Sequence, residues 1–225
     1  MDTGTRDELL SRLAETVASV TTTHPTRVAI DGPPAAGKTT LADELAAVLR
    51  AQGREVIRAS IEDYLFPQAQ RYRRGVYSGE GCYHDSFDYD ALHRVLLDPL
   101  GPGGDRRHQL AVYDRRTDTT VFQPVTTAPA DAVLVFEGVF LLRPELICRW
   151  DLRIFVSASF EETLDRARTR DLAMFGSVAE VERRFRDRYI PAQQLYFEAA
   201  RPTQHADIIV QNDEPQQPAW VARTV

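Results

Sequence analysis

Lys38 is the single lysine among the 27 basic residues of this 225-residue chain, and it stands in Gly32-Pro33-Pro34-Ala35-Ala36-Gly37-Lys38-Thr39. Every other positive side chain is an arginine, whose wide planar fork is no substitute for a compact ammonium on a flexible stem. The spacing Gly-x-x-x-x-Gly-Lys-Thr is that of a Walker A phosphate loop. Gly32 and Gly37 let the backbone turn inward, so that the run Gly32, Pro33, Ala35, Ala36, Gly37 and the following Thr39 and Thr40 can wrap the phosphates of ATP. Lys38 would reach the β/γ oxygens, and the Thr39 hydroxyl would ligate Mg²⁺. Two acids fall where transfer of a phosphoryl group needs them. Asp63 could accept a proton from a hydroxyl aimed at the γ-phosphate, although an Asp at that point also suits a turn or a helix cap. Glu137 ends a strongly apolar run, where a charge is costly unless solvated or paired, and could hold the Mg²⁺ shell through water. Arg166 and Arg170, four apart, could close over ATP and stabilise developing charge; the other reading of that arginine-rich region is a solvated surface.

A phosphate loop works only between a strand and a helix. Arg27-Val28-Ala29-Ile30-Asp31 has strand character, and Leu41, Leu45, Val48 and Leu49 stripe a helix from Lys38 to Arg50. Further strands are expected at 55–59, 132–138, 152–156 and 206–210, and helices at 7–20 and 88–97. Ser159-x-x-Glu162 and Ser177-x-x-Glu180 are capping boxes that open two more helices. Alternating strands and helices imply a mainly parallel α/β sheet covered on both faces, with ligands beyond the carboxyl ends of its strands. The chain reads as one domain, 1–225, with a polar flap or insertion at about 67–83, an arginine-bearing helical lid at about 159–190 and a loosely held tail at 211–225.

Composition narrows the function classes. A formal net charge of -6 argues against a general nucleic-acid binder. Cys82 and Cys148 form neither a disulfide framework nor a metal motif, and no run is apolar enough for a signal sequence or a membrane span, so the expectation is a cytoplasmic protein acting on a small molecule. Homo-oligomerisation is open. A GTPase would need Asn-Lys-x-Asp, for which the chain has no second lysine. A non-catalytic ATP-binding regulator stays open as a different class, although such a protein has no use for Asp63.

Gly32 to Thr40, Asp63 with Tyr64 and Phe66, Asp85-Ser86-Phe87-Asp88, Tyr113-Asp114, Glu137-Gly138, Arg166 to Asp171 and Pro202-Thr203-x-x-x-Ala206-Asp207-Ile208-Ile209 together resemble the uridine kinase family, in order and over most of the chain. The resemblance implies a three-layer P-loop NTPase fold and ATP- and Mg²⁺-dependent transfer to the 5'-hydroxyl of a ribonucleoside such as uridine or cytidine. It implies Asp63 as base, Arg170 as a lid arginine, and Phe66 and Tyr113 near the base, with Tyr64 and Asp85 also on the substrate side. The chain departs from the family's pattern where substrate is read. No His follows Tyr113-Asp114, Cys82 aligns with the ribose-binding Asp, and Met174-Phe175-Gly176 replaces Arg-Gly-Arg at the lid turn. These departures favour the alternative acceptor, a non-nucleoside alcohol such as a sugar, glycerate or a pantothenate-like acid. A basic cluster such as Arg71-Arg73-Arg74 at the acceptor would go with an anionic substrate.

Overall fold

A computed structural model describes residues 2–223. Its centre is a seven-stranded sheet formed by β1 (Asp2–Thr3), β2 (Thr26–Asp31), β3 (Val56–Ser60), β4 (Val133–Gly138), β5 (Leu152–Ser157), β6 (Ile208–Gln211) and β7 (Ala219–Ala222), in the spatial order β1-β7-β6-β5-β2-β4-β3. The five strands from β6 to β3 are parallel, and β7 pairs antiparallel with both β6 and β1. Because side chains alternate along a strand, each central strand feeds two cores. Val133 and Val135 of β4 pack under α1 (Arg6–Ser19) and α2 (Lys38–Ala51), whereas Leu134 and Phe136 join the core on the opposite face, with Tyr64, Leu92 and Tyr196. The result is the three-layer α/β sandwich of a P-loop NTPase.

The strand and helix expectations hold within one or two residues at the phosphate loop, and the serine half of each expected capping box forms: Ser159 accepts from Glu162 N ahead of α4 (Phe160–Arg170), and Ser177 accepts from Glu180 N ahead of α5 (Val178–Arg184), while Ser159 N donates to Asp213 and the Glu180 carboxylate turns to Tyr77 and Arg184. α4, α5 and the turn after them enclose a small core of Ala167, Val181 and Phe185, which also holds Ala35 of the phosphate loop. The lid is thereby packed onto the loop it would cover. A wider π-type turn, Phe185–Tyr189, leads into α6 (Ile190–Ala200), a helix opened by Pro191 that lay beyond the lid limits drawn from sequence.

Two expectations need correction. The tail expected at 211–225 is not loosely held through residue 222, because Ala219–Ala222 is a sheet strand and Trp220 is 7 % exposed; residues 224 and 225 lie outside the described residues. Its Pro/Gln-rich stretch is only the turn that lets the chain double back. The 67–83 stretch is not an irregular flap: it forms a one-turn helix, Gln68–Arg71, and most of α3 (Gly79–His84), with Arg71, Cys82 and Tyr83 buried. Polar composition hid those inward-facing positions.

Candidate active site

β2 delivers the chain to the phosphate loop through Asp31. Sharing a strand face with Ala29, Asp31 points at α6, where the Tyr196 hydroxyl donates to it; Tyr196 in turn accepts from Leu142 N at 2.9 Å. Burial pushes the Asp31 carboxyl above its ordinary range, against the pull of the Tyr196 hydroxyl and of Gly32 N, which donates to Asp31 at 2.8 Å. At Gly37 φ is +94°, and a Cβ there would strike Asn212 Nδ2. That close approach is used, since Asn212 Nδ2 donates to Ala36 O at 2.7 Å. The turn therefore demands glycine twice over, for its dihedral and for the space.

Lys38 is the first residue of α2, 7 % exposed, and its ammonium donates to Pro33 O at 2.7 Å. Burial lowers its pKa, opposed by Glu137 and Asp31. A buried ammonium at a helix N-terminus, beneath a loop of inward-turned backbone, is a cradle for phosphate oxygens. On one side of it a cavity of about 320 Å³ is bordered by Gly37, Thr40, Arg166 and Asn212. Arg166 there donates to the Asn212 and Asp213 carbonyls, each at 2.7 Å. Arg6 of α1 also borders it, held between Glu44 and Asn212.

On the other side opens a larger cavity of about 530 Å³, where Lys38 and Thr39 meet Asp63, Glu137 and Arg170. Asp63 lies on a 3-10 turn, Ile61–Tyr64, that follows β3 and is opened by the Ser60 hydroxyl accepting from Glu62 N. Its carboxyl is pushed up to about 6, first by burial and then by Glu62 and Glu137, against a backbone hydrogen bond from Ser60. Glu137, 7 % exposed, has Arg58 at 3.8 Å. Arg170 borders both cavities and is held by a bidentate pairing with Asp171 at 2.7 and 2.8 Å. Among the described residues no three His, Cys, Asp or Glu side chains cluster as a metal cage. The donors at hand suit Mg²⁺, which keeps waters and phosphate oxygens and needs only one or two protein groups.

The substrate-side expectations fare differently. Tyr64 is fully buried in the core, with its hydroxyl on Gln109 O at 3.0 Å, and faces neither cavity. Successive side chains of a 3-10 turn are rotated by about 120°, so Tyr64 turns into the core while Asp63 borders the cavity. Phe66 and Tyr113 border a separate concavity on the far side of the 65–67 segment. Asp85 is tied to Arg74 at 2.7 Å and does not border the large cavity. What lines that cavity instead is Arg71, Tyr72, Phe87, Arg188, Tyr189 and Gln193. Arg71 belongs to the arginine cluster noted in the sequence, although Arg73 and Arg74 are exposed. Gln193 carries no local signal, being one polar residue on a helix.

The family model for the cytidylate kinase-like family matches residues 27–214. Uridine-cytidine kinase B of Dictyostelium discoideum is 26 % identical over 190 residues, covering 83 % of this chain and 74 % of its own. The uridine kinase of Mycoplasma pneumoniae is 28 % identical over 184 residues, 81 % of this chain and 83 % of its own. A structure described as a possible uridine kinase from Bacillus stearothermophilus superposes with a TM-score of 0.70 at 25 % identity, covering 90 % of this chain and 97 % of the other. Because the family model spans most of the chain and the relatives are alike over four-fifths of it or more, the chain belongs to the cytidylate kinase-like family and is a divergent P-loop kinase of the uridine kinase type.

Proposed function

We propose that the protein transfers the γ-phosphoryl group of ATP to a hydroxyl of a small molecule seated in the larger cavity. The observation that carries this reading is the meeting of Lys38 and Asp63 in one cavity, the ammonium at the phosphate cradle and a carboxyl with pKa about 6 facing it. As the acceptor oxygen bonds to the γ-phosphorus, its proton passes to the Asp63 carboxylate. The bond from that phosphorus to the β,γ-bridging oxygen breaks, and ADP leaves. Mg²⁺, held by the Thr39 hydroxyl and by Glu137, would supply charge neutralisation on the phosphates. Arg170, poised between the two cavities, meets the charge that spreads over the transferring group.

The relatives' names support a ribonucleoside such as uridine or cytidine as acceptor, through its 5'-hydroxyl. A non-nucleoside alcohol is the second reading, favoured by the two buried arginines of the cavity wall, Arg71 and Arg188. In either case the substrate is a small molecule. A reducing cytoplasm suits Cys82 and Cys148, both free thiols. Among the described residues no helix is long and apolar enough to cross a membrane.

The test is ADP release from Mg-ATP against ribonucleosides, deoxyribonucleosides, sugars, glycerate and pantothenate, with Lys38→Ala as blank. Turnover with one class that disappears in the blank supports the kinase reading. ATP binding without turnover on any acceptor would favour the regulator.

A further inference from the structure

The walls of the larger cavity are unevenly charged. At the phosphate end three of the four acids have a cation beside them: Glu62 with Arg115, Asp171 with Arg170, Glu137 with Arg58. At the opposite end the order is reversed. Arg188 is 3 % exposed and meets only neutral oxygens, the Ser78 carbonyl at 3.0 Å and the Ser86 hydroxyl at 3.5 Å. Among the described residues no carboxylate pairs with it. Arg71, 6 % exposed, shares the Tyr113 hydroxyl with Asp118, which itself stays 3.9 Å away, and its Nε has no partner. Both guanidinium groups lean on the ring of Tyr72, at 5.4 and 5.0 Å from its centroid. Two like charges are thus buried against one ring with a single counter-charge, Asp118, which sits with Arg71, an arrangement that costs stability unless something else supplies a second anion.

Beside them Gln193 is 1 % exposed and lines the same cavity, yet neither its Oε1 nor its Nε2 has a hydrogen-bond partner. Buried amides are almost always satisfied, and one that is not marks a place where a partner is missing. The wider turn at Phe185–Tyr189 carries Arg188 to the cavity, and α6 carries Gln193. Neither Arg188, Arg71 nor Gln193 borders the smaller cavity on the other side of the phosphate loop, so the nucleotide phosphates are served by Lys38, Arg166 and Arg170.

We propose that the acceptor carries an oxyanion, a carboxylate or a phosphate monoester, seated on Arg188 and Arg71 with the Gln193 amide completing its hydrogen bonds, while its hydroxyl faces Asp63. This rests on the kinase reading and names the class of molecule on which that kinase acts. A neutral nucleoside would leave the Arg188 charge uncompensated and Arg71 with Asp118 alone. An oxyanion would neutralise them and fix which hydroxyl reaches Asp63, because a bidentate guanidinium contact orients as well as attracts.

The experiment is titration calorimetry on the full chain saturated with Mg²⁺ and a non-hydrolysable ATP analogue, with inorganic phosphate, D-glycerate, ribose 5-phosphate and uridine as probes. Phosphate and one of the hydroxylated anions bind; which of the two binds tells carboxylate from phosphate monoester. Arg188→Gln weakens that binding about tenfold or more while nucleotide affinity is retained. Gln193→Leu, a separate variant that folds without needing the arginine replaced, also weakens it yet melts no lower than wild type, because no protein group loses a partner. Absence of anion binding, or anion affinity unchanged in both variants, overturns the inference, as does a protein that binds and phosphorylates uridine and ignores the anions. Failure of the kinase reading shows separately, as nucleotide binding indifferent to Lys38→Ala.

Discussion

Replacing Asp63 by Asn separates catalysis from stability, because the two respond in opposite directions. The carboxyl titrates at about 6 in the folded protein, mainly through burial, against an ordinary value of 3.8. As base it must be ionised, so wild-type kcat/KM falls roughly tenfold for each pH unit below about 6. An amide can't accept the proton, and Asp63→Asn should lose about 10²- to 10⁴-fold in turnover while ATP still binds. Stability moves the other way. A carboxyl whose folded pKa is raised contributes nothing below the unfolded value, where both states are protonated. It destabilises the fold increasingly between 3.8 and 6, and fully above. A shift of this size at full strength is about 3 kcal/mol. Solvent screening of a half-buried group leaves about 1 kcal/mol. For a chain of this length that is a gain of about 2–4 °C in Tm for Asp63→Asn at pH 8, fading toward pH 4. Coupled ADP release across pH 5 to 9 and thermal melts of both proteins check the two halves. Turnover retained in the variant, or a rate profile flat through pH 6, refutes Asp63 as base. A variant that melts lower than wild type at pH 8 refutes the desolvation argument.

The support beneath the phosphate loop can be tested in the same way. Tyr196→Phe removes the donor to Asp31 and the acceptor of Leu142 N together. It should cost about 1–3 kcal/mol in urea unfolding, more as pH rises and the buried carboxylate ionises without the hydrogen bond that held its pKa down. An unchanged midpoint would show that water replaces the tyrosine. Trp220→Ala tests whether the C-terminal strand is part of the fold: Trp220 packs in the core beneath α1, so the loss should be about 3–5 kcal/mol by denaturant titration. A loss under about 1 kcal/mol would mean that β7 is dispensable.

Much of the nucleotide half of the site was legible in the primary structure, because its causes are local. A glycine where φ is positive, a lysine at the next helix's first turn, an apolar strand before and a striped helix after are all set by neighbours within a few residues. The same holds for the serine N-caps at Ser159 and Ser177, and for Asp63 and Glu137 at strand ends. By contrast the far half of the larger cavity, where the acceptor is proposed to sit, is built from segments far apart in the chain. Arg71 and Tyr72 come from one short helix, Phe87 from the loop after another, Arg188 from a widened turn and Gln193 from a helix, and no local pattern tells which of many arginines turns inward.

Family resemblance did not supply those residues either. It pointed to Tyr64, Phe66, Asp85 and Tyr113, of which the first is core, the second and fourth face another concavity and the third is held by Arg74. What the sequence by itself determined is the phosphate-binding chemistry and the order of elements that presents it. What only the tertiary structure decided is which side chains enclose the larger cavity and with what charge. Burial of a guanidinium or an amide is a property of everything packed around it, and that packing brings together residues more than a hundred positions apart.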